Sequence, residues 1–262
     1  MSAPSKIVIL VTGGNQGLGH EALKALARKS KSNDDNNKYH LVVAARSQDK
    51  AAGAVQKIAS ETGSDPVDFT PVVIDLMSDE TIYAAAELVR TRFGHLDVLI
   101  NNAGINRSPD PNATLREDMR AVYETNVFGV TVTNAAFQPL LRASKYPQRR
   151  IVTVTSGLGM FGVALTRTSP YNGWDYPVPT YGSSKSATNM LAARDCIALE
   201  QENIPTVLVE PGYCRTAFGG FEGHKDADQG GAVIARAAVE GDNKDLFLKI
   251  IDDEGKFTQF GW

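Results

Sequence analysis

The apolar, β-branched run Lys6–Val11 leads without a break into Thr12-Gly-Gly-Asn-Gln-Gly-Leu-Gly19, and an amphipathic helix pattern starts at Gly17. A strand that turns this tightly into a helix commits the chain to a β–turn–α unit. Gly13 lets the backbone leave the strand sharply, Gly17 lets it approach a bound group, and Gly19 lets the helix pack closely on the strand. The first helical turn presents unpaired N–H groups and a partial positive charge. Such a turn can hold the pyrophosphate of a dinucleotide, with Asn15, Gln16 and Leu18 completing the loop around it. A glycine-rich turn with no ligand is the alternative for a motif this short.

The same rhythm continues along the chain. Strands are expected at Lys6–Val11, Tyr39–Ala45, Phe69–Ile74, Asp97–Ile100, Arg150–Thr155 and Pro205–Val209. Helices are expected near Gly17–Lys29, Gln48–Glu61, Asp79–Phe93, Leu115–Ser144 and Thr180–Gln201. Buried strands alternating with amphipathic helices make an α/β fold, a doubly wound parallel sheet with right-handed crossovers. Ser78-Asp79 marks a helix start and Gly94 a stop. The polar stretch 29–38 reads as a solvated loop. Lys244–Ile251 fits a helix turn or a strand equally well. The length of 262 residues suits one domain, 1–262, with no Pro- or Ser-rich linker to divide it.

Charge and cysteine usage narrow the function classes. A net charge of −3 offers no broad basic surface, so nucleic acid is not an expected partner. Two cysteines, Cys196 and Cys214, make no disulfide framework and read as buried thiols. The four histidines are too scattered for a metal site. No apolar run reaches membrane length, and a cytoplasmic protein is the expectation.

In a doubly wound sheet, ligands bind at the carboxyl ends of the strands. The end of the second strand reads Val43-Ala-Ala-Arg46-Ser47 where an acid would be expected to hold a ribose 2′-hydroxyl. A guanidinium beside a hydroxyl suits a 2′-phosphate instead, favouring NADPH over NADH. A solvent-facing Arg46 is the alternative. After the third strand, Asp75-Leu76 can flank an adenine, or Asp75 can be a plain helix-start acid. After the fourth, Asn102, Ala103 and Gly104 are small enough for backbone to lie beside a ribose.

Farther on, Tyr181-Gly-Ser-Ser-Lys185 places a phenol and an ammonium four residues apart on one helix face. A nearby ammonium is expected to lower the phenol pKa toward working pH, making Tyr181 a general acid. Ser156, ending the fifth strand, can hydrogen-bond the oxygen being protonated; a turn serine is the alternative. The other seven tyrosines have no lysine four residues later.

With Thr-Gly-x-x-x-Gly-x-Gly, Asn-Asn-Ala-Gly, Tyr-x-x-x-Lys and Pro211-Gly212 in this order, nearly the whole chain resembles the short-chain dehydrogenase/reductase family. Gly255-Lys-Phe257 and Trp262 resemble its carbonyl-reductase-like branch. The resemblance implies a Rossmann-type sheet of about seven strands in the order 3-2-1-4-5-6-7. It implies a catalytic tetrad of Asn126, Ser156, Tyr181 and Lys185, with Asn126 anchoring a water chain and Lys185 also holding the nicotinamide ribose. Thr216, with backbone around Tyr213, falls where the family touches the nicotinamide carboxamide. The glycine-rich segment 211–231 is expected to be a substrate lid.

Between Ser156 and Tyr181 the chain is longer than in many family members. This insertion, 157–180, includes Arg167, Tyr171, Trp174, Asp175 and Tyr176, which can line a pocket for a bulky carbonyl or pack against the lid or a helix. The expected function is NADPH-dependent reduction of a ketone or aldehyde, a small-molecule substrate. The rivals are an NAD-linked alcohol dehydrogenase and a non-catalytic NADP(H)-sensing interaction protein. A monomer, a dimer and a tetramer stay open.

Overall fold

The computed structural model describes residues 6–32, 38–169 and 178–259. Its elements run β1 (Ile7–Val11), α1 (Gly17–Lys31), β2 (Tyr39–Ala45), α2 (Gln48–Thr62), β3 (Phe69–Val73), α3 (Asp79–Phe93), β4 (Val98–Asn101), α4 (Leu115–Tyr123) and α5 (Val130–Ala143). They continue as β5 (Arg150–Val154), α6 (Phe161–Ala164), α7 (Pro179–Ala198), β6 (Thr206–Val209), α8 (Ala227–Val239), α9 (Asn243–Leu246), β7 (Lys249–Ile251) and β8 (Phe257–Gln259). The strands join in one sheet ordered β3-β2-β1-β4-β5-β6-β7-β8, parallel up to β7.

Both faces of this sheet are covered, which is why β1, β2, β4, β5 and β6 are buried throughout. In β1, Ile7, Ile9 and Val11 join Leu23 and Leu26 of α1, Val55 and Ile58 of α2, and Ile234 of α8. Val8 and Leu10 join Ile82 and Val89 of α3 and Phe137 and Leu141 of α5 on the other side. Alternation along the strand thus feeds two cores. Helix ends follow local chemistry: Ser47 and Ser78 cap α2 and α3, and Gly63 and Gly94 close them with φ of 62° and 76°.

Every expected strand forms, with ends within a residue of those read from the sequence. Lys244–Ile251 proves to be both alternatives, since it spans most of α9 and all of β7. The sheet then gains β8, antiparallel to β7, which the implied order lacked. A short turn through Gly255, at φ 81°, is enough for an antiparallel neighbour, whereas a parallel one needs a crossover.

The expected helix Leu115–Ser144 is the clearest departure. It is interrupted at Glu124–Gly129 by a π-helical turn, which separates α4 from α5. The packing reason lies at Gly129: a side chain there would collide with the Leu76 carbonyl, so the helix is pressed against the end of β3's loop at this point. The turn holds Asn126.

At the opposite end of the sheet, Arg150 is fully buried. Its guanidinium donates to the carbonyls of Ala237, Glu240 and Gly241, where α8 ends, and to Gln148 O. Burial lowers its pKa to about 10.

Candidate active site

The loops that leave β1 to β6 at their carboxyl ends meet along one edge. In the first, Gly13 and Gly17 have φ of 66° and 56°, a conformation side chains rarely accept. A Cβ at Gly19 would stand 2.5 Å from Gly13 O, so its expected packing role is seen directly. Gln16 occupies the N-cap position of α1 with no side-chain cap. The first-turn N–H groups therefore face the glycine loop without a side chain folded over them. This cradle fits the pyrophosphate of a dinucleotide.

Thr12 and Asn102 brace that cradle. The Thr12 hydroxyl donates to Ile100 O and accepts the N–H groups of Asn102 and Ala103, at 3.0 and 3.1 Å. The Asn102 side chain donates to Thr12 O at 2.9 Å. Expected as a cofactor contact, Asn102 is thus spent on shaping the glycine turn; its backbone and Ala103 lie beside that turn. Gly104 lies deeper, where a Cβ would come within 3.0 Å of Asn126 Oδ1 and 3.8 Å of Lys185 Nζ.

Arg46 follows β2 and is exposed. The Ser47 hydroxyl accepts the Lys50 N–H as the α2 cap, a bond that uses a lone pair and not its proton. Asp75 is no helix-start acid: Ser78 caps α3, and Asp75 Oδ1 accepts the Met77 N–H at 3.0 Å in a local turn. Leu76, expected to flank an adenine, is buried among the α3 and α5 side chains. Its side chain is core, and only its backbone or Asp75 suits a base.

The four tetrad positions converge. Tyr181 and Lys185, one turn apart on α7, are both buried, and Lys185 Nζ lies 5.7 Å from the Tyr181 ring centre. Ser156, whose Oγ accepts the Leu158 N–H at 3.3 Å, lies close enough to pull the Tyr181 phenol down. Lys185 donates to Val154 O at 2.8 Å, tying α7 to the end of β5. Asn126 is buried with its amide committed: Oδ1 accepts the Ile105 N–H, and Nδ2 donates to Ile105 O and Ser184 Oγ. Its main-chain carbonyl accepts the Thr188 hydroxyl. Asn126 is thus a clamp on the β4 loop and α7.

Electrostatics run against one expectation. The phenol is not lowered by its lysine: desolvation holds Tyr181 well above its ordinary value, the Ser156 hydroxyl pulls it partly back, and the Glu210 charge pushes it up. Lys185 is itself lowered to about 8 by burial. Both groups are dehydrated together, and the ammonium bonds a carbonyl rather than the phenol oxygen, so burial outweighs attraction. A phenol so held stays protonated.

The segment after β6 is more anchored than a free lid. Cys214 pairs with Lys225 in a β-bridge, and Arg215 bonds Asp226. Gly230 and Gly231 lie within α8, so the looped part ends at Asp226 and the expected 211–231 is too long. Their role is packing: a Cβ at Gly231 would stand 2.5 Å from Glu21 Cβ on α1, and one at Gly230 2.8 Å from Leu18 Cδ2. Pro211 packs beside Gly230 and Gly212 has φ of 85°. Tyr213 sets its ring edge-on to His224 and donates its hydroxyl to Gly219 O, propping the loop. Thr216 is buried beside Gly17, with 3.9 Å from its Cβ to a Cβ built on that glycine.

Three contributors escaped the sequence reading. Phe218 lies edge-on to Tyr181 at 5.4 Å between ring centres, and the Asn106 side chain donates to Phe218 O at 2.6 Å. Glu210, just before Pro211-Gly212, is the third; its place before that turn was the available signal. Of the insertion, 157–169 forms a 3-10 turn, α6 and a following turn, and Pro179 and Thr180 belong to α7. Tyr171, Trp174, Asp175, Tyr176 and Trp262 lie outside the described residues. Among those described, no helix is long and apolar enough to cross a membrane. The two thiols, Cys196 and Cys214, are free and buried.

Comparison with known proteins agrees with this geometry. The family model for short chain dehydrogenases matches residues 7–226. The short-chain dehydrogenase anuI of Penicillium roqueforti is 56% identical over the whole of both chains. The short-chain dehydrogenase/reductase tropE of Talaromyces stipitatus is 32% identical over 99% of this chain and 100% of its own. Among solved structures, the NADPH-bound carbonyl reductase from chicken fatty liver superposes with a TM-score of 0.78 at 25% identity, covering 98% of this chain and 100% of that one.

Proposed function

This chain belongs to the short-chain dehydrogenase/reductase family of oxidoreductases, and from that premise we propose that it reduces a ketone or aldehyde with NADPH. The observation that carries the reading is the meeting of Ser156, Tyr181 and Lys185 beside the glycine cradle. The turn Thr12–Gly19 and the α1 N-terminus would hold the pyrophosphate, and we assign Gly104, Thr216 and Lys185 to the nicotinamide half. When bound, the dinucleotide supplies the hydride that reaches the carbonyl carbon.

The chain's own residues supply the rest. Tyr181, kept protonated by burial, gives its proton to the carbonyl oxygen as that oxygen gains charge. Ser156 hydrogen-bonds and orients the same oxygen. The proton leaves a phenolate in a buried site, and the nearby Lys185 ammonium offsets its charge. The product is the alcohol, with one hydride and one proton added across the double bond. Loops after β5 and β6 expose Phe161, Leu165, Phe218 and Phe221, which favours a bulky apolar carbonyl compound.

Tyr181→Phe is expected to lower kcat about 10²–10⁴-fold while leaving cofactor affinity unchanged, read by cofactor oxidation across a panel of ketones and aldehydes. Binding without turnover of any carbonyl in the wild type would shift the reading to the sensing protein. Cofactor choice rests on Arg46, exposed at the end of β2 next to Ser47. Arg46→Ala is expected to weaken NADPH binding roughly tenfold or more, since a charge-assisted bond to phosphate is worth about 1.5–3 kcal/mol. NADH binding should not change. A wild type that prefers NADH would instead identify the NAD-linked dehydrogenase.

A further inference from the structure

Phe218 lies against the tetrad without carrying a reactive group. It belongs to the 3-10 turn Ala217–Gly219, at the tip of the loop that runs from β6 to α8. Its ring is edge-on to Tyr181, with 5.4 Å between centres, yet the residue is 43% exposed where Tyr181 is buried. Phe218 thus meets the phenol with part of its surface and leaves the rest open. An aromatic side chain so open gains less from burial than a core residue does, and its free area is available to another ring.

The tip is built as a unit. Gly220 and Phe221 both have left-handed backbones, with φ of 65° and 64°, and the reversal brings the Phe221 N–H to Thr216 O at 2.9 Å. The N–H groups of Gly219 and Glu222 donate to Thr216 O and Gly219 O. A bulky residue such as Phe221 rarely accepts a positive φ, so the turn is held against local preference.

A bond from another loop fixes where this tip sits. Asn106 Nδ2 donates to Phe218 O at 2.6 Å, across 112 residues of sequence. Asn106 follows Ile105, whose N–H and carbonyl are both bonded by the Asn126 amide. Asn126 Nδ2 also donates to Ser184 Oγ on α7, between Tyr181 and Lys185. The contacts close a ring that runs from α7 through Asn126, Ile105, Asn106 and Phe218 back to Tyr181. The helix that carries the phenol therefore also sets the place of the ring beside it.

We propose that Phe218 is a specificity-determining residue that favours carbonyl compounds carrying an aryl group, and that Asn106 is the positioning residue that holds it there. This deepens the reductase reading and rests on it. A carbonyl oxygen bonded to Tyr181 keeps its substituents beside the phenol, where the open part of the Phe218 ring meets an aryl group offset or edge-on. A saturated ring of the same size fills the space but lacks the quadrupole that aromatic pairing uses. Without the Asn106 bond the tip keeps its own turn but loses its place beside Tyr181.

The test compares acetophenone with cyclohexyl methyl ketone, two ketones of similar size, and reads the ratio of their kcat/KM values with NADPH. Comparing that ratio between variant and wild type cancels the intrinsic reactivity of the ketones. Phe218→Leu is expected to lower it roughly two- to tenfold, with the saturated ketone little changed, and Phe218→Trp to preserve it. Asn106→Ala should lower it in the same direction. Hydrogen–deuterium exchange on the full chain reads the Asn106 bond without turnover. Peptides covering 216–222 should exchange roughly two- to tenfold faster in Asn106→Ala, and those covering α8 should not.

Turnover with a ratio that Phe218→Leu leaves unchanged overturns the proposal and leaves the reductase reading standing, as does a wild type that reduces only carbonyls without an aryl group. A ratio or an exchange rate that Asn106→Ala does not move overturns the role of Asn106. No turnover of any carbonyl by the wild type overturns the reductase reading, and the aryl preference with it; the Asn106 bond then stands or falls on the exchange alone.

Discussion

Tyr181, Lys185 and Glu210 are shifted by the same cause, burial, and each is moved toward its neutral form. For Tyr181 the neutral form is the proton donor that the proposed reaction needs, and dehydration favours it. For Glu210 the neutral form is the one burial favours, so dehydration costs stability whenever the group is ionised. A folded-state pKa raised to about 7 means the carboxyl favours folding while protonated. That contribution is full below its ordinary value of 4.5 and disappears as pH rises through about 7. Glu210→Gln should therefore melt higher than the wild type at about pH 8, by on the order of 2–3 kcal/mol, and the gain should shrink as the pH is lowered through that range. Equal melting temperatures at the higher pH would contradict the assigned burial cost.

The elements that matter most to the site are placed by what their glycines permit. α1 carries the cradle, and α8 holds α1 in place through Gly230 and Gly231. Gly231→Val puts side-chain atoms where Glu21 Cβ and the Ala22 backbone stand, so α1 must shift away. Overpacking of this kind costs about 1–3 kcal/mol. The shift should also weaken cofactor binding, because the glycine turn moves with its helix; calorimetric titration would read this. Gly53 in α2 is the contrasting case, with nothing within 4 Å of a built Cβ. Gly53→Ala should stabilise the helix by roughly 0.5–1 kcal/mol and leave binding alone. The π-helical turn at Glu124–Gly129 makes the same point for α5: one extra residue in the helix lets Asn126 clamp Ile105 while Gly129 meets Leu76.

For the whole molecule, both cores hang on one sheet, and the two ends of that sheet do different work. Its carboxyl edge holds the titratable groups of the candidate site, while Arg150 closes the opposite end by bonding the carbonyls of Ala237, Glu240 and Gly241 at and just past the end of α8. Arg150→Met keeps the bulk but strands those carbonyls, at a cost on the order of 3 kcal/mol. Thermal unfolding should stay a single transition and move down by roughly 6–12 °C, since α8 and α1 share a core with the central strands. A second, separate transition would mean that α8 melts apart from the rest.

Periodicity and turn chemistry decided β1 to β6 and the helices α1, α2 and α3. β2 and α3 fall where Tyr39–Ala45 and Asp79–Phe93 were read, because alternation, a serine cap and a glycine stop are local signals. That Tyr181 and Lys185 share a helix face and that Ser156 follows a strand was legible in the same way. What the sequence left undecided depends on who meets whom. The break in Leu115–Ser144 comes from Gly129 against Leu76, and the end of the loop after β6 at Asp226 comes from α8 against α1. The direction of the Tyr181 shift follows from dehydration by residues far away in the chain. Local propensity is written in neighbouring residues; burial and charge coupling are set by the tertiary fold, because they depend on distance through space.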